Sequence, residues 1–122
     1  MNILYIENHP VFAESVKRQF LSQHSVTVVA TLSAARQALL AAQFDLFLVD
    51  YDLDDGKGDE IVRALRATGS RAIIVGVSSH EEGNAALLRA GATAVCSKMQ
   101  FDQIQSVIER TTETGKNIKR RS

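Results

Sequence analysis

An open, doubly wound α/β sandwich around a five-stranded parallel sheet is the fold class this sequence predicts, on three observations. Five short apolar runs recur along the chain: Ile3 to Ile6, Val26 to Ala30, Leu46 to Val49, Ala72 to Val77 and Ala92 to Cys96. Their hydrophobicity is mostly continuous rather than alternating, as expected for strands covered on both faces. The segments between them place apolar residues at helical spacing, so strands and helices alternate five times.

The elements can be justified in order. After the first run, Pro10 suits the first turn of a helix whose face is Phe12, Val16 and Phe20. After the second, Ala35, Ala38, Leu39 and Ala42 share a face, and after the third so do Ile61, Val62 and Leu65. Gly69 and Gly91 stand where the third and fourth helices should stop. Phe101, Ile104 and Ile108 give the last helix its apolar face.

With 122 residues the chain suits one domain with its own core. The charge count of 14 bases against 14 acids hides an uneven distribution. Seven acids (Asp45, Asp50, Asp52, Asp54, Asp55, Asp59, Glu60) and one base, Lys57, fall between residues 45 and 60. Residues 115–122 hold four bases (Lys116, Lys119, Arg120, Arg121) and no acid, leaving ten bases against fourteen acids over residues 1–114. The expected organisation is a domain over 1–114, followed by a solvated basic tail or the start of a linker at 115–122. Nucleic acid is not an expected partner of this chain alone. Cys96 alone cannot form an internal disulfide, and His9, His24 and His80 share no ligand spacing and read as surface or capping residues. No apolar stretch reaches membrane-spanning length, and the expected location is the cytoplasm.

In doubly wound sheets ligands bind outside the carboxyl ends of the strands. Those ends deliver Glu7 and Asn8 after the first run, Asp50 and Asp52 after the third, Ser78 and Ser79 after the fourth, and Lys98 after the fifth. Carboxylates opposite a lysine and a hydroxyl suit phosphate chemistry. Oxygen ligands can hold a hard cation such as Mg²⁺, the ammonium can neutralise phosphoryl oxygens, and a carboxylate can be the nucleophile. Phosphoryl transfer needs little more than such positioning and neutralisation.

The sequence resembles receiver domains of two-component response regulators. The matching pieces are residues 3–10 (Ile-Leu-Tyr-Ile-Glu-Asn-His-Pro), 44–53 (Phe-Asp-Leu-Phe-Leu-Val-Asp-Tyr-Asp-Leu), 73–82 (Ile-Ile-Val-Gly-Val-Ser-Ser-His-Glu-Glu) and 88–92 (Leu-Arg-Ala-Gly-Ala), with Lys98 seven residues beyond Gly91. The resemblance implies a flavodoxin-like strand order 2-1-3-4-5. It implies that Asp50 accepts a phosphoryl group from a histidine kinase or histidine phosphotransfer protein, with Glu7, Asn8, Asp50 and the backbone carbonyl of Asp52 around Mg²⁺. It also makes Ser78 the switch hydroxyl and Lys98 the phosphoryl contact. The consequence would be an altered contact with a partner, an output domain or a second copy.

Several positions depart from the family pattern. Asn8 replaces an acid that usually ligates the metal, which predicts weakened Mg²⁺ binding. Val95 stands where a Tyr or Phe usually swings inward, Met99 replaces a Pro after the lysine, and Asp54 stands where a Pro is common. A degenerate receiver that binds partners independently of phosphorylation is the alternative function. Locally, Asn8 could instead cap the first helix, and Ser78 or Ser79 could cap the fourth. Asp54, Asp55 and Asp59 read as a solvated loop leading into a helix, and Cys96 as a small core residue. Asp50-Tyr-Asp52 also resembles the Asp-x-Asp of haloacid-dehalogenase-type phosphatases, although Asp54 stands where that motif expects Thr or Ser.

Overall fold

The computed structural model describes residues 1–121, with side chains through residue 113. Its main sheet contains β1 (Asn2–Ile6), β2 (Ser25–Val29), β3 (Leu46–Val49), β4 (Ile73–Gly76) and β5 (Ala94–Val95), and every neighbouring pair is parallel. Their spatial order is β2-β1-β3-β4-β5, the expected one. The connecting helices are α1 (Pro10–Phe20), α2 (Leu32–Ala41), α3 (Asp59–Ala67) and α4 (Glu81–Ala90), and α5 (Ile104–Arg121) follows β5 through a 3₁₀ turn at Lys98–Gln103.

The continuous apolar runs divide their side chains between two cores, one on each side of the sheet. Ile3, Tyr5, Leu46, Leu48, Val75 and Val77 pack with Val16, Phe101, Ile104 and Ile108 from α1, the 3₁₀ turn and α5. Leu4, Ile6, Phe47, Val49 and Ile74 pack with Leu32, Ile61, Val62 and Leu87 from α2, α3 and α4. Alternate residues of each strand therefore face opposite helical layers, which is why the runs show no polar alternation.

Strand bounds differ in detail from the sequence reading. β2 begins one residue earlier than Val26, and β4 is confined to residues 73–76. The largest difference is β5, which is two residues rather than Ala92 to Cys96. Ala92 spends its amide on the carbonyl of Leu87 at the end of α4, and Ser97 opens the 3₁₀ turn by accepting the amide of Met99. Cys96 lies just beyond the strand as a buried core residue, and burial raises its thiol pKa.

Helix ends follow the predicted positions but not all the predicted caps. Pro10 opens α1, with His9 as N-cap and no side-chain cap, so Asn8 does not cap this helix. α4 likewise starts after His80 without a side-chain cap, so neither Ser78 nor Ser79 serves there. α3 and α4 stop at Thr68-Gly69 and Gly91 as expected. α5 continues in backbone terms through the stretch expected to be a tail, while the basic side chains of 116–121 lie outside the described residues.

A small hairpin, Asp52–Leu53 against Gly56–Lys57, fills the β3–α3 connection. Gly58 closes it against the end of β3. A Cβ there would come within 1.9 Å of the Asp50 carbonyl oxygen, so a side chain at this position would push the β3 end away. Asp54 and Asp55 are exposed, as predicted for a solvated loop leading into a helix, but they are also hydrogen-bonded. Asp55 accepts the amides of Leu32 and Ser33 at the start of α2, at 2.8 and 3.0 Å, and Asp54 accepts from the Asn8 amide. Asp59 lies in the first turn of α3, where acids favour the helix dipole, and binds Arg63 one turn on.

Candidate functional site

The parallel ladder carries on past the strand ends and sets the site residues. Glu7 donates its amide to Val29, Asp50 to Ile6, Val77 to Val49, Cys96 to Gly76, and Lys98 to Ser78. Each strand end is therefore fixed to its neighbour, and Glu7, Asp50, Ser78 and Lys98 come to one edge of the sheet. Three of them are almost fully buried: Glu7 is 0 %, Asp50 4 % and Ser78 2 % exposed.

Lys98 joins the two carboxylates. Its Nζ lies 2.6 Å from Glu7 Oε1 and 3.0 Å from Asp50 Oδ2, and 5.4 Å from the centre of the Phe12 ring. One ammonium thus faces two buried carboxylates, an incomplete compensation. Burial is the largest cause raising the Asp50 pKa, followed by the charge of Glu7; Lys98 opposes them, and the result is about 6. At neutral pH Asp50 is still mostly ionised and able to act as a nucleophile. Tyr5 underlies the pair, its hydroxyl 3.5 Å from Glu7 Oε1, and burial together with these carboxylates holds it protonated.

Of the proposed oxygen ligands, Glu7 and Asp50 lie together. Asn8 places its Oδ1 where it is buried without a hydrogen-bond partner, while its amide nitrogen donates to Asp54 at 3.4 Å. Asp52 turns its carboxylate away to the exposed Lys57 ammonium, which leaves only its backbone for the role that the resemblance implies. That pairing also occupies the group that an Asp-x-Asp phosphatase would need as general acid.

Ser78 is held by contacts that its position in sequence did not reveal. Its hydroxyl accepts the His80 amide at 3.1 Å, and Asn84 of α4 grips its backbone at both ends. Asn84 Oδ1 accepts the Ser78 amide at 2.9 Å, and Asn84 Nδ2 donates to the Ser78 carbonyl at 3.2 Å. Gly83 lets α4 approach this closely, because a Cβ there would lie 2.5 Å from Ser78 Oγ. Asn84 was legible only as one polar residue on a helix.

Two more residues bear on the site. His9, assigned from sequence to the surface, is exposed but turned inward: its Nδ1 and its amide both lie 3.2 Å from Glu7 Oε2. Val95 is half-buried on β5 beside a groove of about 290 Å³ that Val107 and Thr111 of α5 also line.

Comparison with known proteins agrees with the fold. The nitrate/nitrite response regulator protein NarL of Escherichia coli K12 is 32 % identical over 95 residues, which cover 74 % of this chain and 44 % of NarL. The transcriptional regulatory protein CitB of Klebsiella pneumoniae is 29 % identical over 113 residues, 88 % of this chain and 48 % of CitB. The chain thus spans less than half the length of these relatives. Among solved structures, the response regulator TrrA of Thermotoga maritima, in complex with Mg²⁺ and BeF, shares the fold with a TM-score of 0.81 at 17 % identity, covering 90 % of this chain and 97 % of that one. The family model of the response regulator receiver domain matches residues 3–109, nearly the whole of the sheet and its helices, and the chain belongs to that family.

Proposed function

We propose that this chain is a phosphoryl-accepting switch of a two-component system or phosphorelay. The observation that carries this reading is Lys98 Nζ held between Glu7 and Asp50 at 2.6 and 3.0 Å. The ammonium stands beside the nucleophilic carboxylate, where it can neutralise an incoming phosphoryl group without reorganising. An Asp50 carboxylate oxygen attacks the phosphorus of a phosphohistidine on a histidine kinase or phosphotransfer protein. The N–P bond breaks, and its electron pair stays on the donor imidazole. The chain is read as a signalling acceptor in the cytoplasm, not as a turnover enzyme.

Mg²⁺ is the cation this reading calls for, and the residues fit it. Glu7, Asp50 and the partnerless Asn8 Oδ1 offer side-chain oxygens, and the Asp52 backbone can add another. When bound, the ion would supply further charge neutralisation for the phosphoryl oxygens. Asn8 brings an oxygen without a charge, so weaker Mg²⁺ binding than with a second acid is expected there.

Ser78 would give up the His80 amide to meet a phosphoryl oxygen, and Asn84 would transmit that movement to α4. The changed α4–β5 face then alters contact with a partner, an output domain or a second copy of the chain. The greater length of NarL and CitB supports an output domain beyond a receiver at 1–114, with 115–122 opening the linker. The test is intact-mass measurement after incubation with acetyl phosphate and Mg²⁺, repeated with a cognate kinase. A phosphoryl adduct that disappears in Asp50→Asn is expected. No adduct under either donor would refute the switch in favour of a phosphorylation-independent binding module.

A further inference from the structure

The sheet has two edges, and they are finished differently. At one, β5 is only two residues long and offers little backbone to a neighbour. At the other, β2 runs for five residues, Ser-Val-Thr-Val-Val, all but the first of them β-branched. Pairing with β1 uses the backbone groups of Ser25, Thr27 and Val29: Ser25 donates its amide to Met1, and Val29 accepts that of Glu7. Backbone groups alternate in direction along a strand, so the amides and carbonyls of Val26 and Val28 point away from β1. No strand lies beyond them, and among the described residues no hydrogen bond reaches them.

Such an edge is ordinarily guarded by a charge, a proline or a bulge. None of these guards β2. No residue from 19 to 35 is Lys, Arg, Asp or Glu, and the chain's single proline is Pro10. The register against β1 runs unbroken from Asn2–Ser25 to Ile6–Val29, without a bulge.

The edge is also complementary to itself. Laid antiparallel on its own copy about a two-fold axis at Thr27, Val26 stands opposite Val28 of the second copy and Val28 opposite its Val26. Each of these pairs exchanges two N–H···O bonds, which satisfies every outward group of both valines. Val26 and Val28 face the core layer of α1 and α5, so valine meets valine on that side of the sheet. On the other side the exposed Thr27 meets its own copy at the axis. An uncharged strand neither repels its copy nor offers a counter-charge to a charged strand of another protein.

We propose that β2 is a self-association surface, pairing antiparallel with β2 of a second copy about a two-fold axis at Thr27 and joining the two five-stranded sheets into one. β2 carries none of Glu7, Asn8, Asp50, Asp52, Ser78 or Lys98, so this surface is separate from the phosphoryl site.

The test is sedimentation of the full chain over a concentration series, with amide hydrogen exchange read below and above the midpoint of association. A monomer–dimer equilibrium with a midpoint on the order of 100 µM is expected, as suits an interface of one strand pair. In the dimer the amides of Val26 and Val28 should exchange more slowly, while those of Ser25, Thr27 and Val29, already turned to β1, should change far less. Thr27→Lys sets two like charges side by side at the axis and should weaken dimerisation at least about fivefold, as should Thr27→Glu. Thr27 is exposed, so both variants should keep the parent's thermal unfolding midpoint. An equimolar mixture of the two should associate at least as well as the parent, because opposite charges then meet at the axis. A chain that stays monomeric to about 1 mM would overturn the proposal and leave the edge to a strand of another protein. So would a dimer indifferent to both Thr27 variants, a mixture that fails to associate, or a dimer in which the Val26 and Val28 amides exchange as fast as in the monomer.

Discussion

Replacing Asp50 by Asn should stabilise the domain at neutral pH and leave it unchanged in acid. Asp50 is 4 % exposed beside the buried Glu7, and its pKa rises from 3.8 to about 6. Well below pH 3.8 the carboxyl is protonated in both the folded and the unfolded chain, and the buried site costs nothing extra. Between pH 4 and 6 the unfolded chain has released the proton while the folded one retains it. Stability therefore falls as pH rises through this window, by roughly 1.4 kcal/mol per pH unit. Above pH 6 the accumulated loss is about 3 kcal/mol. Asn resembles the protonated carboxyl in size and lacks the charge, so Asp50→Asn should gain up to about 3 kcal/mol at pH 7.5 and almost nothing at pH 4. Urea unfolding of both proteins from pH 4 to 8 measures it, and the difference between them isolates Asp50 from the other carboxylates. A variant no more stable than the parent at pH 7.5, or a difference independent of pH, would refute the reasoning. A gain would mean that the site sacrifices stability for a reactive carboxylate.

Two further predictions concern neighbours of that carboxylate. Asn8→Asp adds a second charge for a divalent ion, and calorimetry should show Mg²⁺ binding tightened about tenfold or more, worth roughly 1.4 kcal/mol. Asn84→Ala leaves the buried Ser78 amide without its partner, while the Ser78 carbonyl keeps only the Lys98 amide. It should cost about 1–3 kcal/mol in chemical unfolding and speed hydrogen exchange at the Ser78 amide, with β4 itself little affected.

Local pattern carried much of this protein. The continuous apolar runs gave the parallel sheet, because a strand buried on both faces can carry no polar alternation. Glu7, Asp50, Ser78 and Lys98 followed from counting to the end of each run, because the ladder places strand ends side by side. The length of β5 was not legible, since it depends on Ala92 spending its amide on α4. Nor were the partners of the acidic run: that the exposed Asp55 also accepts a backbone amide depends on the approach of the α2 N-terminus, 23 residues away in sequence.

The sequence by itself determined the order of elements and which charged groups reach one edge of the sheet. Only the tertiary structure decided how those groups are partnered. It turned His9 inward to Glu7, aimed Asp52 outward at Lys57, set Tyr5 beneath Glu7 and brought Asn84 to Ser78. Periodicity and spacing specify on which face or at which strand end a residue sits. Its hydrogen bonds depend on rotamers and on segments packed from elsewhere in the chain, and those fix the charge balance around Asp50.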